Sequence, residues 1–98
     1  MQDTVIINES IEPTTTGIQK WCQDYLANLL GIQPSRVNPE TEFDRFGLDS
    51  AMAVAMCLDL EEQIGIEIPP ALLFEYTTIA GLSTYVAAEA SKARGAST

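Results

Sequence analysis

The sequence predicts an all-α fold: a small bundle of three main helices plus one short helix, with a long loop between helices one and two. Three observations carry this prediction. Apolar residues recur at i, i+3 and i+4 in separate stretches, glycine or threonine stands where the periodic runs stop or start, and no stretch makes a convincing strand. The 98 residues allow one domain with a small core.

The first helix is read from Thr16 to Leu30, where Ile18, Trp21, Cys22, Tyr25, Leu26, Leu29 and Leu30 form an amphipathic pattern. Gly31 ends it. The connection from Gly31 to Asp49 is broken by Pro34, Pro39 and Gly47. It exceeds the usual loop and must be pinned from within or be functional. Val37, Phe43, Phe46 and Leu48 are the expected pins. Helix two runs from Ser50 to Ile64 and stops at Gly65, and Ile66-Glu67-Ile68 is a brief extended link. Pro is tolerated in a first helical turn, so Pro70 to Phe74 is expected as a short third helix. Thr77 and Thr78 offer caps for a last helix carrying Ile79, Leu82, Tyr85, Val86 and Ala90. The expected plan is a flexible leader over residues 1–16, a domain over 17–90 and a flexible tail over 91–98.

Composition removes several function classes. A hydrophobic content of 46% with 19% charged residues is that of a globular chain. Five basic residues against fourteen acidic ones give a net charge of −9, which argues against nucleic acid and for basic protein surfaces as partners. With no histidine, a Ser-His-Asp hydrolase is excluded, and the commonest metal ligand is missing. Cys22 and Cys57 fall at apolar helical positions and are read as reduced core residues in a cytoplasmic protein. No apolar run reaches the ~20 residues needed to span a bilayer, and no signal peptide is visible. The acids Glu40, Glu42 and Asp44 are read as a solvated loop, with no metal site assigned.

Helix two carries apolar residues around more of its circumference than one core contact needs. Ala53, Met56, Cys57, Leu60 and Ile64 form one stripe, and Ala51, Val54, Ala55 and Leu58 form another. Only one is the core face of an amphipathic helix. In the alternative, both are buried in a central helix and the acids are its solvated end. The second stripe runs from Ser50 towards Asp59, Glu61 and Glu62, an apolar strip with acidic edges suited to docking basic partners.

Asp49 is placed to cap helix two, its carboxylate accepting from free N–H groups of the first turn. Ser50 then takes the first helical position. A phosphate ester on its hydroxyl would lie beside those donors, where the helix dipole favours an anion by about 0.3–1 kcal/mol. Gly47 supplies a positive-φ turn just ahead of it. Asp-Ser pairs also occur as plain caps that carry nothing.

At Gly47-Leu48-Asp49-Ser50 the chain resembles the acyl carrier protein family, polyketide-synthase type. The likeness continues through Leu60-Glu61, Gly65-Ile66-Glu67-Ile68-Pro69, Leu72-Leu73-Phe74-Glu75-Tyr76 and Thr78-Ile79-Ala80-Gly81-Leu82, covering about residues 17 to 90. The resemblance implies covalent 4′-phosphopantetheine on Ser50, taken from coenzyme A by a phosphopantetheinyl transferase that normally uses magnesium. It implies a monomeric, non-catalytic carrier, with acyl groups riding as thioesters through polyketide or mixed polyketide-peptide biosynthesis. The expected partners are the transferase, an acyl-loading enzyme (an acyl-AMP ligase or acyltransferase) and a ketosynthase or other synthase domains. Neither nucleic acid nor membrane is expected. Ala51 stands where the family commonly has a large apolar residue, and Cys57, Leu58 and Asp59 where many polyketide carriers are basic or polar. The run Leu58 to Glu62, with Pro70 to Tyr76, looks most like carriers loaded by fatty acyl-AMP ligases. Two alternatives stand beside this reading: a peptidyl carrier with an amino-acyl cargo, and an acidic helical interaction domain with no prosthetic group.

Overall fold

The computed structural model describes residues 11–95, and the three long helices in it begin or end on residues whose chemistry explains the boundary. Helix α1 spans Thr15–Leu30. Thr14 caps it, its Oγ1 accepting from Gly17 N at 3.0 Å. At the other end Gly31 (φ 72°) and Ile32 both donate to the Ala27 carbonyl, satisfying a carbonyl that the helix leaves unpaired. Helix α2 covers Ser50–Ile64 between Asp49 and the left-handed Gly65. Helix α4 covers Ile79–Gly95, and Thr78 Oγ1 accepts from Gly81 N at 3.0 Å as its cap.

Four boundaries differ from the sequence reading, two of them by one residue: α1 starts at Thr15 instead of Thr16, and the short third helix ends at Glu75 instead of Phe74. The short helix α3 is Leu72–Glu75, two residues later than expected at its start, because Pro69 and Pro70 accept from Leu72 and Leu73 (both 3.0 Å) in a lead-in turn. Helix α4 continues to Gly95, so Ser91–Gly95, expected to be loose, is helical. Alanines at 87, 88, 90 and 93 extend that helix cheaply. Of the expected leader, residues 11–14 are ordered against α1: Ile11 packs on the core. Residues 1–10 and 96–98, which hold most of the expected leader and the end of the expected tail, lie outside the described residues.

The core joins Ile18, Cys22 and Leu26 of α1 with Met56, Cys57 and Leu60 of α2, closed by Leu73 of α3 and Ile79, Leu82 and Val86 of α4. Helices α1 and α4 pack directly on each other. Both cysteines are buried and free. Burial pushes the Cys22 thiol up to about 12, helped by the neighbouring Cys57. Burial pushes Cys57 up to about 11, with Glu61 adding to it. Neither is a nucleophile at neutral pH. Ser83 is fully buried, and its hydroxyl has no hydrogen-bond partner among the described residues.

The long loop is held by polar and apolar ties together. Val37 and Phe43 are buried, and Phe46 and Leu48 pack against the core. Gln23 Nε2 donates to Val37 O at 2.8 Å. Ala80 N, a first-turn donor of α4, finds Pro39 O at 2.9 Å, and Phe43 N finds Thr77 O at 2.8 Å. The loop therefore caps α4 while α4 fixes the loop. Two short 3-10 turns, Pro34–Arg36 and Phe43–Phe46, lie within it.

Candidate functional site

The fixed loop delivers its last residues to one end of α2. Gly47 turns the chain at φ 75°, and a Cβ there would meet nothing within 4 Å. The requirement for glycine is thus conformational and not a matter of space. Asp49 follows in an extended conformation, and its Oδ1 accepts from Met52 N at 2.9 Å while its carbonyl accepts from Ala53 N at 3.0 Å. Ser50 is the first residue of α2 and is exposed. The N–H groups of Ser50 and Ala51 belong to the unpaired first-turn set and face the helix end, where an anion is stabilised.

Beside Ser50 opens a groove of about 480 Å³, floored by Leu48, Ala53, Val54, Leu73 and Phe74. Most of its lining is apolar. It lies between the loop, the start of α2 and helix α3, so it exists only because the loop is pinned across the bundle.

The two stripes of α2 separate as one core face and one outer face. Met56, Cys57 and Leu60 are buried, with Ala53 and Ile64 packed at their edges. Ala51, Val54, Ala55 and Leu58 are all exposed, Leu58 at 55%. The acidic edge is less uniform than its sequence suggests. Glu62 is exposed. Glu61 is half-buried and its Oε1 accepts from Ile68 N at 3.3 Å, tying the 66–68 link to α2. Asp59 is exposed but lies beside the Tyr25 hydroxyl of α1. Burial and the Asp59 carboxylate together push that phenol up to about 12. From Phe46 to Ser91 the chain has no lysine or arginine, so nothing basic from that stretch neutralises this face. No cluster of metal-ligating side chains occurs among the described residues.

Sequence reasoning missed Phe74 as an exposed feature of the site. It is 87% exposed and lines the groove next to Ser50. The three apolar residues of a four-residue helix give no periodicity from which to tell inner from outer, and no signal in the sequence separates Phe74 from Leu73.

Residues 20–86 match the family model described as the phosphopantetheine attachment site. The chain belongs to that family. Among its relatives, the acyl carrier protein TtuC of Teredinibacter turnerae is 36% identical over 83 residues, covering 83% of this chain and 95% of that protein. The polyketide synthase PksN of Bacillus subtilis is 28% identical over 72 residues, covering 74% of this chain but 1% of the synthase. The p-hydroxybenzoic acid–AMP ligase FadD22 of Mycobacterium marinum is 37% identical over 68 residues, 68% of this chain and 10% of that protein. In three dimensions the chain is similar to a free-standing peptidyl carrier protein from Acinetobacter baumannii, with TM-score 0.74 and 28% identity over 80% of this chain and 98% of that one. The phosphopantetheine-attachment family carries its prosthetic group covalently, and its members work with phosphopantetheinyl transferases and synthase enzymes and are generally non-catalytic. A helical interaction domain without a prosthetic group is thereby set aside. No helix among the described residues is long and apolar enough to cross a membrane.

Proposed function

We propose that Ser50 is the attachment serine and that this acyl carrier holds acyl intermediates in polyketide or mixed polyketide-peptide biosynthesis. The observation that carries the proposal is the exposed serine at the first position of α2, beside an apolar groove and inside the matched region. In the transfer, the Ser50 oxygen bonds to the pantetheine-side phosphorus of coenzyme A while the pyrophosphate P–O bond breaks. Adenosine 3′,5′-bisphosphate leaves with the electron pair, and the serine proton passes to a base of the transferase. The Asp49 carboxylate is engaged with Met52 N and shapes the helix end instead of activating the serine. Once attached, the arm supplies a thiol that holds acyl groups as thioesters. Tethering keeps those groups at high effective concentration near each partner enzyme.

Ala51, Val54, Ala55 and Leu58, edged by Asp59 and Glu62, form the docking strip for basic partner surfaces. Glu61 contributes charge from behind that strip while bracing Ile68. The likeness to FadD22, named as an acid–AMP ligase, supports loading by an adenylate-forming enzyme. The likeness to a peptidyl carrier structure supports a second reading with an amino-acyl cargo.

The decisive experiment is intact-protein mass after incubation with coenzyme A, magnesium and a broad-specificity phosphopantetheinyl transferase, alongside Ser50→Ala. One added phosphopantetheinyl group, absent from the variant, is the expected result. Modification retained in Ser50→Ala would place the arm elsewhere. Offering adenylated fatty, aryl and amino acids to the loaded protein then separates acyl from amino-acyl cargo.

A further inference from the structure

The chain enters α1 doubled back on itself. A Cβ on Gly17 would lie 2.5 Å from the Glu12 carbonyl oxygen and 3.1 Å from the Glu12 Cβ, so the backbone ahead of the helix rests directly on its first turn. A chain leaving along the helix axis would put Glu12 about 11 Å from Gly17. Glycine is needed at 17 for this close approach, unlike at Gly47, where space is free. Ile11, one residue further back, packs on the core. The segment ahead of α1 therefore runs up the side of the helix instead of away from it.

Gly17 is also the foot of a ridge. Trp21, Tyr25 and Leu29 follow it at four-residue steps and stand one above another on the same side of α1. The Trp21 and Tyr25 rings stack, with centroids 5.0 Å apart and planes at 26°. Both are half-buried, and Leu29 is 40% exposed. The neighbouring line of Ile18, Cys22 and Leu26 takes the core contacts, so the outer side of the ridge belongs to the surface.

Residues 1–10, ahead of the described ones, contain the apolar run Val5-Ile6-Ile7. An extended chain spans about 16 Å from Glu12 back to Ile7 and about 23 Å to Val5. From Gly17 the helix rises about 12 Å to Tyr25 and about 18 Å to Leu29. In an extended segment Val5 and Ile7 share one side, and Ile6 takes the other. A segment already tethered at Ile11 meets the ridge at high effective concentration. A second copy would bring a net charge of −9 against −9 and be repelled.

We propose that residues 1–10 form a strap along the outside of α1, with Val5 and Ile7 seated on the ridge of Trp21, Tyr25 and Leu29. The folded domain then begins ahead of residue 11, and the chain itself covers an aromatic face that would otherwise attract foreign apolar surface. The strap does not depend on what Ser50 carries.

Trp21 is the chain's one tryptophan, so its fluorescence reports on the ridge. The test uses the full chain and compares wild type with Val5→Ser/Ile7→Ser, Ile6→Ser and Gly17→Ala by acrylamide quenching, thermal unfolding and nuclear Overhauser contacts. Wild type should show contacts from the Val5 and Ile7 methyl groups to the Trp21 and Tyr25 rings. Val5→Ser/Ile7→Ser should lose them, quench more readily and unfold about 4–8 °C lower, as a domain of this size does on losing a packing contact. Ile6→Ser should resemble wild type. Gly17→Ala should keep its helical circular dichroism but lose the same contacts, because its Cβ would displace Glu12. Quenching and midpoint of Val5→Ser/Ile7→Ser equal to wild type would overturn the proposal, as would absence of the contacts in wild type. Quenching that falls with rising protein concentration would also overturn it, by seating a second copy on the ridge. Shielding of Trp21 that requires an added partner enzyme would overturn it by giving the ridge to that partner.

Discussion

Replacing Leu58 by Glu separates the two faces of α2 by their energetics. Full burial of a leucine is worth about 1.5–3 kcal/mol. With Leu58 55% exposed in the folded chain, less than half of that is at stake, so its removal costs about 1 kcal/mol or less. A new carboxylate four residues before Glu62 adds a like-charge pair worth about 0.2–0.5 kcal/mol. For a domain of this size the total corresponds to a fall of roughly 4–10 °C in Tm. Leu60, two residues on and fully buried, is the internal comparison: Leu60→Ala should cost about 2–5 kcal/mol, a large share of the stability of a small domain. Urea and thermal unfolding followed by circular dichroism measure both. Arm transfer by a phosphopantetheinyl transferase should show the opposite order. Leu58→Glu should be loaded about tenfold more slowly, and Leu58→Gln should fall between it and wild type. If Leu58→Glu destabilises as much as Leu60→Ala, the strip is core. If it leaves both stability and loading unchanged, the strip is inert surface.

Asp49→Ala should lose the bond to Met52 N and about 1 kcal/mol, whereas Asp49→Asn should keep the cap; thermal unfolding of the pair separates hydrogen bonding from charge. Gly47→Ala should cost about 1–2 kcal/mol in urea unfolding, since its φ of 75° is strained for alanine while its Cβ would touch nothing. Ser83→Ala should leave stability unchanged or raise it by up to about 1 kcal/mol, because it removes a buried hydroxyl that has no partner among the described residues. The thiols Cys22 and Cys57 hold their protons in the fold up to about 12 and 11 against an ordinary 9.0. The unfolded chain sheds those protons first, so their contribution is fully present below pH 9 and is lost as pH rises towards 11 and 12. A falling Tm over that window, flattened in Cys22→Ala/Cys57→Ala, and no reaction of native protein with a thiol reagent at pH 7.5 are the expected outcomes.

Local chemistry made much of this protein legible in one dimension. Thr15–Leu30 and Ser50–Ile64 are marked by apolar spacing with glycine directly after each helix. The placement of Asp49 and Ser50 at the start of α2 follows from side-chain preferences at a helix end, which act within three residues. The outer face of α2 was visible as a surplus of apolar residues, although nothing local could say which stripe would be outermost. Helix α4 overran its expected end because small alanines prolong a helix without leaving a hydrophobic pattern.

Contacts between segments distant along the chain were decided only in three dimensions. Gln23 reaching Val37, Ala80 reaching Pro39 and Glu61 reaching Ile68 depend on side chains and carbonyls that meet after packing, so no spacing rule announces them. The same holds for Asp59 beside Tyr25. The groove beside Ser50 is made by three segments that are remote in sequence, and the exposure of Phe74 depends on the rotation of α3 against the core. Sequence by itself determined the helices, the acidic charge and the serine at a helix start, because these are properties of short stretches. The tertiary structure decided what surrounds that serine, because a surface exists only after the chain has chosen which of its apolar residues to bury.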